Sequence, residues 1–600
     1  MNILGISALY HDSAAALCHD GKIISAVQEE RFTRLKNDSS FPSNAIKHCL
    51  TNLKGELDCV VYYDNPLLTL DRWLCNLAII SPDNKKMIDK TFDKIFAQKL
   101  WIHDLVKTFL KQQNINTEKL KIYVCKHHIS HAASAFYPSP FESAAILTID
   151  GVGEWTTTSL GVGQENNIKL IKELRYPDSL GLLYSAFTHF CGFKVNSGEY
   201  KLMGLAPYGK PLWKDKIMAE MIDLKEDGSF KINQKYFSYM YGERMWNDAF
   251  ESFFGVKSRL PDTHITQAII DIAASIQAVL EVIIVKLAVH LKKITNEQNL
   301  VLAGGCALNC VANGLLLKEK IFENIWIQPA AGDAGGAIGA ALYAHYALGN
   351  RRRKVDSNDS QQGSFLGPAY TRDEISDFLN KKKVTFFEYQ KNEDLYYSIT
   401  THLSQNKVIG LFNGRMEFGP RALGHRSIIA SSQNEEMQAK VNLKIKYRES
   451  FRPFAPAVRK ENISQYFDIK AESPYMLLVA HVAHEIRHDV PKIEYSHSPN
   501  LLDIINQKRS TIPAVTHVDY SARIQTVDKE RNPYLYNIIK AFEEQTGCGV
   551  VLNTSFNVRG EPIVCSLEDA YNCFVATEMD VLVLENFILL KENIGNNEYQ

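Results

Sequence analysis

The segment AAILTIDGVGEWTTTSLGV (residues 144–162) contains an apolar stretch, an aspartate-containing turn and a second stretch of strand-forming residues in succession. Apolar and β-branched runs that end in glycine-rich turns are typical of β-strands. We therefore predict strands at residues 144–149, 155–162 and 168–173. The N-terminus repeats this order, with predicted strands at residues 2–7, 14–18 and 22–27. Such an internal repeat predicts two similar lobes with a cleft between them.

Two later segments each predict a strand, a glycine-rich turn and a helix. They are LVLAGGCALN (300–309) and IWIQPAAGDAGGAIG (325–339). Glycine allows backbone amides to approach an anion, and a helix N-terminus adds a favourable dipole. Neither segment is a P-loop or a GxGxxG fingerprint, so a small-residue helix that packs tightly on a sheet is an equal alternative to nucleotide binding.

Composition and charge exclude several classes of protein. The 600 residues allow about four domain-sized units, and 67 basic against 68 acidic residues leave a net charge of −1. This balance gives no case for nucleic acid or a membrane as the main partner. Eleven cysteines without a CxxC pair favour a cytoplasmic chain with buried thiols over a secreted disulfide framework. The N-terminus has no signal-peptide pattern.

The longest apolar stretch predicts a core helix of a soluble protein. It runs from about Ala268 to Leu291 and is interrupted by Asp271, Gln277, Glu281 and Lys286. A membrane span is nearly free of charge over about 20 residues. Further on, Arg351–Lys354 and the polar residues after them predict a linker. The expected domains are residues 1–355 and 366–600, with a linker at 356–365.

His127 and His131 are the first candidate metal ligands. On a helix, residues four apart share a face, and two neutral imidazoles there can bind one divalent ion. Asp150 follows a predicted strand and Asp333 lies in a glycine-rich turn, so both carboxylates are expected to point into a cleft. The four side chains would form an N2O2 site for iron, manganese or zinc. The alternatives are structural histidines and carboxylates that cap turns.

A histidine and a basic segment are the other candidates. His11 lies in a predicted turn and is either a turn residue or a cleft-facing base for an alcohol. Between residues 410 and 460, ten basic residues face four acidic ones. Arg415, Arg421 and Arg452 are interleaved with glycine, proline and phenylalanine, which favours a rigid small-anion pocket over a solvated basic face or a nucleic-acid platform. The stretch NTSFNVRG (553–560) either adds donors to that pocket or is an ordinary polar turn.

Together these segments resemble the O-carbamoyltransferase family, whose members carbamoylate nodulation factors, cephem antibiotics and aminoglycosides. The resemblance covers nearly the whole chain, in the family's order. The matching segments are HDSAAAL (11–17), EERF (29–32), HHISHAASAF (127–136), LTIDGVGE (147–154), SGEYKLMGLAPYG (197–209), GGCALNCVANG (304–314), AAGDAGGAIGAAL (330–342), GRMEFGPRALGHRSI (414–428), RESFRPFAPAV (448–458) and NTSFNVRGEPIV (553–564).

The resemblance implies an α/β enzyme with an N-terminal actin-like, sugar-kinase-type two-lobed ATPase fold and a C-terminal YrdC-like α/β domain. In the family, carbamoyl phosphate and ATP give carbamoyl-adenylate and pyrophosphate in the C-terminal domain. The adenylate passes inside the protein to the N-terminal domain, where a metal ion holds it. There the carbamoyl group is transferred to a hydroxyl of a small natural product, and AMP leaves.

The resemblance also assigns residues. The implied metal ligands are His127, His131, Asp150 and Asp333, with Fe²⁺ expected, Mn²⁺ or Zn²⁺ as alternatives, and Mg²⁺ accompanying ATP. The implied catalytic residues are His11 as general base, Arg415 and Arg421. The carbamoyl-phosphate site is expected to include Arg415, Arg421, Lys444, Arg448, Arg452, Arg523, Asn553 and Arg559. The N-terminal nucleotide would contact Gly304, Gly305, Asn309, Glu199 and Lys201. After EERF the usual RKKH is replaced by Thr33–Asp38, so the resemblance assigns this loop no contact.

Three other functions are compatible with parts of the sequence. A sugar-kinase-like phosphotransferase would release ADP and leaves the basic C-terminal segment unexplained. A tRNA-modifying threonylcarbamoyl transferase conflicts with the net charge. A regulatory scaffold would not need candidate ligands in both domains. The acceptor has no readable sequence signature, and neither does the oligomeric state, for which a homodimer is one option.

Overall fold

The computed structural model describes residues 1–78, 89, 92, 95–491 and 501–594. It divides into two compact units. The first consists of Met1–Thr33 and Asn37–Gln361, and the second of Arg34–Lys36 and Gln362–Gln600. Three residues from early in the chain therefore belong to the second unit.

The strands of the first unit include every strand predicted there, with differences only at their ends. They are β1 (Asn2–Ser7), β2 (Ala14–His19), β3 (Lys22–Gln28), β4 (Cys59–Tyr62), β5 (Lys121–Val124), β6 (Ser143–Ile149), β7 (Thr156–Gln164), β8 (Asn167–Arg175), β9 (Ile222–Leu224), β10 (Phe230–Ile232), β11 (Asn299–Ala303) and β12 (Asn324–Ile327).

Two five-stranded sheets of the same design confirm the internal repeat. The first has the order β3-β2-β1-β4-β5 and the second β8-β7-β6-β11-β12. In each, the central strand is antiparallel to the hairpin strand that follows it and parallel to the strand on its other side: β1 pairs with β2 and β4, and β6 with β7 and β11. This duplicated order is the two-lobed actin-like, sugar-kinase-type α/β fold that was expected.

The helices of the first unit lie between these strands in the chain, except the last one, which follows β12. They are α1 (Glu30–Thr33), α2 (Ser43–Thr51), α3 (Pro66–Leu77), α4 (Ile102–Gln112), α5 (His127–Phe136), α6 (Leu180–Phe190), α7 (Glu199–Leu205), α8 (Lys214–Glu220), α9 (Asp248–Phe254), α10 (Gln267–Thr295), α11 (Cys310–Lys318) and α12 (Asp333–Tyr343). Helix α10 contains the predicted core helix. By length and composition alone it would also pass as a membrane span, but more than half of its apolar stretch is buried within the protein.

Helix α12 packs so closely that only glycine fits at its contacts. A Cβ at Gly339 would lie 1.8 Å from the carbonyl oxygen of Ser130 in α5, and a Cβ at Gly5 would lie 1.9 Å from the carbonyl oxygen of Ala337. Real atoms cannot approach so closely. The small residues of the DAGGAIG stretch (333–339) therefore serve tight packing, the alternative named for this motif, and they fix the position of α12 against α5 and β1.

The second unit is an α/β domain, as expected for a YrdC-like fold, built on a nine-stranded mixed sheet. Its strand order is β13-β21-β20-β14-β15-β19-β16-β18-β17. The strands are β13 (Phe387–Glu388), β14 (Ile409–Phe412), β15 (Arg426–Ser431), β16 (Ala455–Arg459), β17 (Leu478–His481), β18 (Ser521–Val527), β19 (Val550–Ser555), β20 (Val581–Leu584) and β21 (Phe587–Leu590). The helices are α13 (Arg372–Lys382), α14 (Asn392–Ser404), α15 (Met437–Lys440), α16 (Ile463–Tyr466), α17 (Leu501–Ile505), α18 (Pro533–Thr546) and α19 (Leu567–Val575).

The polar stretch interpreted as a linker is fixed to the first unit near its start. The Arg353 guanidinium is buried and donates to the carbonyl oxygens of Tyr137, Ser139 and Phe141. Further along, Asp359 and Gln361 are buried as well. Composition alone suggests solvent exposure here, but an arginine that satisfies backbone carbonyls can be buried.

Candidate metal centre and anion pocket

Four residues from three segments of the first unit converge on one point. His127 is the first residue of α5 and His131 lies one turn later. Asp150 directly follows β6, and Asp333 is the first residue of α12. One donor atom from each of these buried side chains lies within 4.8 Å of the other three. Sequence analysis named the same four residues, and the fold brings them together.

The donor set has the chemistry of a divalent-metal site. His127 Nε2 lies 3.0 Å from His131 Nε2 and 3.1 Å from Asp150 Oδ2. Asp333 Oδ1 lies 3.7 Å from both imidazole nitrogens, and it has no hydrogen-bond partner among the described residues. A buried carboxylate oxygen without a partner is costly. Two imidazoles and two carboxylates around it fit Fe²⁺, Mn²⁺ or Zn²⁺.

Neighbouring groups contact the backbone of His127 and the carboxylates of Asp150 and Asp333. The Glu154 carboxylate accepts from the backbone N–H of His127 at 2.9 Å and that of Asn65 at 2.8 Å. The backbone N–H of Gly305 donates to Asp150 Oδ1 at 2.8 Å. The Tyr63 hydroxyl donates to Asp333 Oδ2 at 3.0 Å. Such outer partners orient metal ligands and raise affinity.

The electrostatics of the centre call for positive charge. Burial raises the pKa of Asp150, but the hydrogen bonds from His127 and His131 outweigh it and hold that pKa well below its usual range. Burial lowers the pKa of His131, but Asp150 and Asp333 raise it to about 9. Protons thus take up the charge that a divalent cation would otherwise supply.

His11 lies beside this centre. Its Nε2 is 3.8 Å from Asp333 Oδ2, and its Nδ1 is 3.0 Å from Asp12 Oδ2. Burial lowers the pKa of His11, but Asp333 and Asp12 raise it to about 10. Because a carboxylate can only accept, Nδ1 carries a proton and Nε2 is the nitrogen that faces the four-residue centre.

The candidate nucleotide-binding residues also lie in the first unit, and one of them, Gly305, contacts Asp150. Gly304 has φ +89°, and a Cβ there would lie 2.3 Å from the carbonyl oxygen of Ile149, so only glycine fits. Asn309 caps α11 and exchanges hydrogen bonds with Gln277. The Glu199 carboxylate accepts from the Ser185 hydroxyl and from backbone amides, whereas Lys201 Nζ lies over the Phe193 ring. Gln277 was noted only as a polar interruption of the apolar helix and not as a partner of Asn309.

In the second unit, two predicted anion-binding residues lie on strands, Arg523 on β18 and Asn553 on β19. A third, Arg421, lies in the loop before β15. Asn553 Nδ2 donates to Gln525 Oε1 at 2.7 Å and to the carbonyl oxygen of Ala422 at 3.4 Å. Gln525 Nε2 donates to the carbonyl oxygen of Leu423 at 2.8 Å. The loop that carries Arg421 therefore crosses these strands, and Arg523 shares a face of β18 with Gln525. Gln525 was not among the predicted site residues, because a glutamine in a strand has no distinctive pattern.

The buried carboxylate of Glu417 fixes the loop that follows it. Glu417 Oε1 accepts from the backbone N–H groups of Leu423, His425 and Arg426 at 2.7, 2.8 and 3.1 Å. Three amide donors on one oxygen fix the backbone of the FGPRALGHR turn. Arg415, predicted to touch substrate, donates to the carbonyl oxygens of Leu366 and Gly367.

The two lysines of the segment KIKYRE (444–449) have different environments. Lys444 is exposed and pairs with Glu578 at 3.2 Å. Lys446 is buried, and its Nζ donates to Ser555 and Asn557 in the NTSFN turn. Burial lowers the pKa of Lys446 well below its ordinary value, and the charges of Arg448 and Arg452 lower it further. Sequence analysis did not single out Lys446.

The last predicted residue of this group, Arg559, lies next to Lys446. Its backbone N–H donates to the carbonyl oxygen of Lys446 at 3.0 Å, and its guanidinium lies 3.8 Å from Glu449. Arg448, Arg452 and Arg559 thus concentrate positive charge around the turn after β19. Fixed guanidinium groups of this kind are suited to phosphate and carboxylate.

Comparison with known proteins identifies the family. Residues 2–342 match the family model "Carbamoyltransferase N-terminus", and residues 400–591 match "Carbamoyltransferase C-terminus". The chain belongs to the carbamoyltransferase family.

Three relatives illustrate the range of this family. The uncharacterized protein sll1178 of Synechocystis sp. is 51% identical over 98% of this chain and 97% of its own length. The nodulation protein NolNO of Sinorhizobium fredii is 33% identical over 98% of this chain and 80% of its own. The 3'-hydroxymethylcephem-O-carbamoyltransferase of Streptomyces clavuligerus is 29% identical over 45% of this chain and 44% of its own. The chain is thus a member of a family of enzymes, and some of its relatives carry the name of O-carbamoyltransferases.

Proposed function

We propose that this carbamoyltransferase is ATP-dependent and transfers the carbamoyl group to a hydroxyl of a small natural product in the cytoplasm. The observation that supports this most directly is the position of His11 Nε2, 3.8 Å from Asp333 in the four-residue centre. A proton acceptor beside a cation site is what attack by an alcohol on a carbonyl carbon requires. Family membership supports the carbamoyl donor.

In the first step, the second unit activates carbamoyl phosphate with ATP. The adenylate keeps one phosphorus of ATP and pyrophosphate takes two, so the phosphate of carbamoyl phosphate must leave separately. Water therefore cleaves carbamoyl phosphate to carbamate and inorganic phosphate. A carbamate oxygen then attacks the α-phosphorus of ATP, and pyrophosphate is displaced. Arg421, Arg523 and Asn553 bind the phosphate groups, with Arg448, Arg452 and Arg559 adding charge to the same unit.

In the second step, the acceptor hydroxyl attacks the carbamoyl carbon of the adenylate. His11 Nε2 takes the hydroxyl proton, the new C–O bond forms, and AMP leaves with the oxygen that joined it to the carbamoyl group. The first unit holds the AMP part near Gly304, Gly305 and Asn309. A divalent metal held by His127, His131, Asp150 and Asp333 would supply Lewis-acid stabilisation of the charge that develops on the carbamoyl oxygen.

The protonation of His11 depends on Asp333. The charge of Asp333 is the largest of the influences that raise the pKa of His11. A cation bound to that carboxylate would offset its charge and so favour the neutral imidazole that a general base requires. The metal-binding set and the general base are therefore expected to act together.

The test uses the purified protein with Fe²⁺, ATP and carbamoyl phosphate, and measures pyrophosphate and AMP without an acceptor. We expect pyrophosphate release that requires carbamoyl phosphate and that is lost in Arg421→Ala. The matched control is Arg459→Ala, because Arg459 is a basic residue of the same segment that pairs with Glu461 and Glu543. Release of ADP, or pyrophosphate formation without carbamoyl phosphate, would favour a phosphotransferase instead.

A further inference from the structure

Asn37 is joined to His11 by a hydrogen-bonded path through Asp12. Asn37 Nδ2 donates to Asp12 Oδ1 at 2.8 Å, and Asp12 Oδ2 lies 3.0 Å from His11 Nδ1. Each oxygen of the Asp12 carboxylate therefore has its own partner. The carboxylate cannot turn about its bond to Cβ without losing one of these contacts.

The backbone on both sides of this path is fixed in an unusual conformation. Asp12 and Asn37 have φ of +52° and +57°, a region that asparagine and aspartate adopt more readily than most residues. The Asn37 backbone N–H donates to Glu30 Oε2 at 2.7 Å. The Ser13 backbone N–H donates to the carbonyl oxygen of Asp38 at 2.8 Å. The turn that contains His11 is thus joined to the loop that contains Asn37 by main-chain as well as side-chain bonds.

We propose that Asn37 is a positioning residue for His11. By holding Asp12, the Asn37 amide keeps the imidazole with Nδ1 as the proton donor and Nε2 directed at Asp333. A carboxylate that orients a catalytic histidine in this way selects the tautomer as well as the ring angle. The proposal rests on the proposed role of His11 as the base. It gives a function to the loop at Thr33–Asp38, to which the family resemblance assigned none.

Two variants of Asn37 distinguish the effect of its amide donor from the effect of its side-chain shape. Asn37→Gly removes the amide and accepts the positive φ without strain. Asn37→Asp keeps the shape and replaces the donor with an oxygen that repels Asp12. The matched control is Asn114→Gly, because Asn114 is an exposed asparagine with φ +60° in the same unit. Thermal unfolding midpoints of all variants show whether the fold is retained.

The kinetic readout is AMP formation with water as the acceptor, and pyrophosphate formation in the same reaction. We expect both Asn37 variants to form AMP roughly ten- to a hundred-fold more slowly, a fraction of the full effect of a general base. Pyrophosphate formation in the first turnover, assigned to the second unit, stays at the wild-type rate. His11→Gln sets the background rate of AMP formation. AMP formation by both variants at the rate of Asn114→Gly would overturn the proposal.

Crystal structures of the wild type and Asn37→Gly give a second readout that does not depend on turnover. We expect the imidazole of His11 or the carboxylate of Asp12 to turn so that the contact between them is lost. If His11 and Asp12 keep their wild-type contact in the variant, Asn37 does not position them and the proposal is wrong. If the wild type forms no pyrophosphate from carbamoyl phosphate, the proposed function fails, and the crystal structures still decide the role of Asn37.

Discussion

His127 and His131 lie one turn apart on helix α5, and their Nε2 atoms are 3.0 Å from each other. Two neutral imidazoles cannot both direct a lone pair at such a short distance unless a proton or a cation lies between them. Asp150 and Asp333 surround the pair and add negative charge. The arrangement is therefore most stable with positive charge at its centre, supplied by protons or by a divalent cation.

Asp333→Asn is expected to lower the affinity for Fe²⁺ or Zn²⁺ by at least roughly a hundred-fold. Loss of an outer partner typically weakens metal binding by about ten- to a hundred-fold, and loss of a direct ligand should weaken it more. The shape of the side chain is unchanged, but one anionic ligand is lost. Metal content after dialysis and titration calorimetry measure the effect. The control is His128→Gln, because His128 lies on the same helix but bonds to Thr148. That variant should lose stability and keep its metal. Equal metal content in Asp333→Asn and the wild type would exclude Asp333 as a ligand.

Glu154→Ala is expected to weaken metal binding by roughly ten- to a hundred-fold, although Glu154 is not one of the four donors. Its carboxylate accepts from the backbone N–H of His127 and so fixes the start of α5. Glu154→Gln retains an acceptor oxygen and should bind metal nearly as well as the wild type. Calorimetric titration compares the two variants with Glu142→Ala, an exposed control. If the alanine variant binds metal like the wild type, the helix does not depend on this contact.

Gln525→Leu is expected to impair the use of carbamoyl phosphate and to cost about 1–3 kcal/mol of stability, the usual cost of a buried polar group left without its partner. The substitution removes the nearer partner of the Asn553 amide, which keeps only the Ala422 carbonyl oxygen at 3.4 Å. It also removes one of two donors to the Leu423 carbonyl oxygen, which keeps Asn532 Nδ2 at 2.9 Å. The KM for carbamoyl phosphate in the pyrophosphate assay should rise, because the Arg421 loop loses one of its supporting contacts. Gln525→Glu keeps the acceptor for Asn553 and should have an intermediate effect. An unchanged KM in the leucine variant would show that Gln525 supports the fold alone.

Acid should destabilise the second unit through His425. This imidazole stacks on Phe365 at 3.6 Å, and burial lowers its pKa to about 4. Between about pH 6.5 and pH 4 the unfolded chain binds a proton that the folded chain does not, so stability falls as the pH falls through this range. The loss for such a shift is about 3 kcal/mol.

His425→Gln should therefore lose less stability than the wild type between pH 7 and pH 4.5, by roughly 2 kcal/mol. Urea unfolding at a series of pH values, followed by circular dichroism, measures this difference. His484→Gln replaces an exposed histidine of the same unit and should follow the wild-type pH dependence. The same slope in His425→Gln and the wild type would contradict a neutral buried imidazole.

Much of the first unit could be predicted from sequence, because its strands end in turns that contain chemistry-bearing residues. Asp150 and Asp333 follow apolar runs, and spacing alone puts His127 and His131 on one face. Other positions had weaker signals. Lys444 lies within the π-helical turn Val441–Ile445 and Lys446 directly follows it, so ordinary helical periodicity does not indicate which side chain is buried.

Contacts between residues distant in the chain were beyond sequence reasoning. Gln525 supports Asn553 and Leu423 from a strand about 30 to 100 residues away, and a glutamine in a strand has no distinctive pattern. Glu417 was counted only as a negative charge in a basic segment. Its three backbone partners depend on the path of the loop that follows it, which no local propensity specifies.

The membership of Arg34–Lys36 in the second unit has an evolutionary consequence. Arg34 donates to the carbonyl oxygens of Pro562 and Ile563 at 2.7 Å each, and lies 3.5 Å from Asp569 and 3.8 Å from Glu561. A gene that encoded residues 362–600 alone would lack the cation that these groups share. The second unit of this chain is therefore not encoded by one continuous stretch of its gene. A recombinant that kept this contact would need the codons for residues 34–36 together with those for residues 561–569, more than 500 positions downstream.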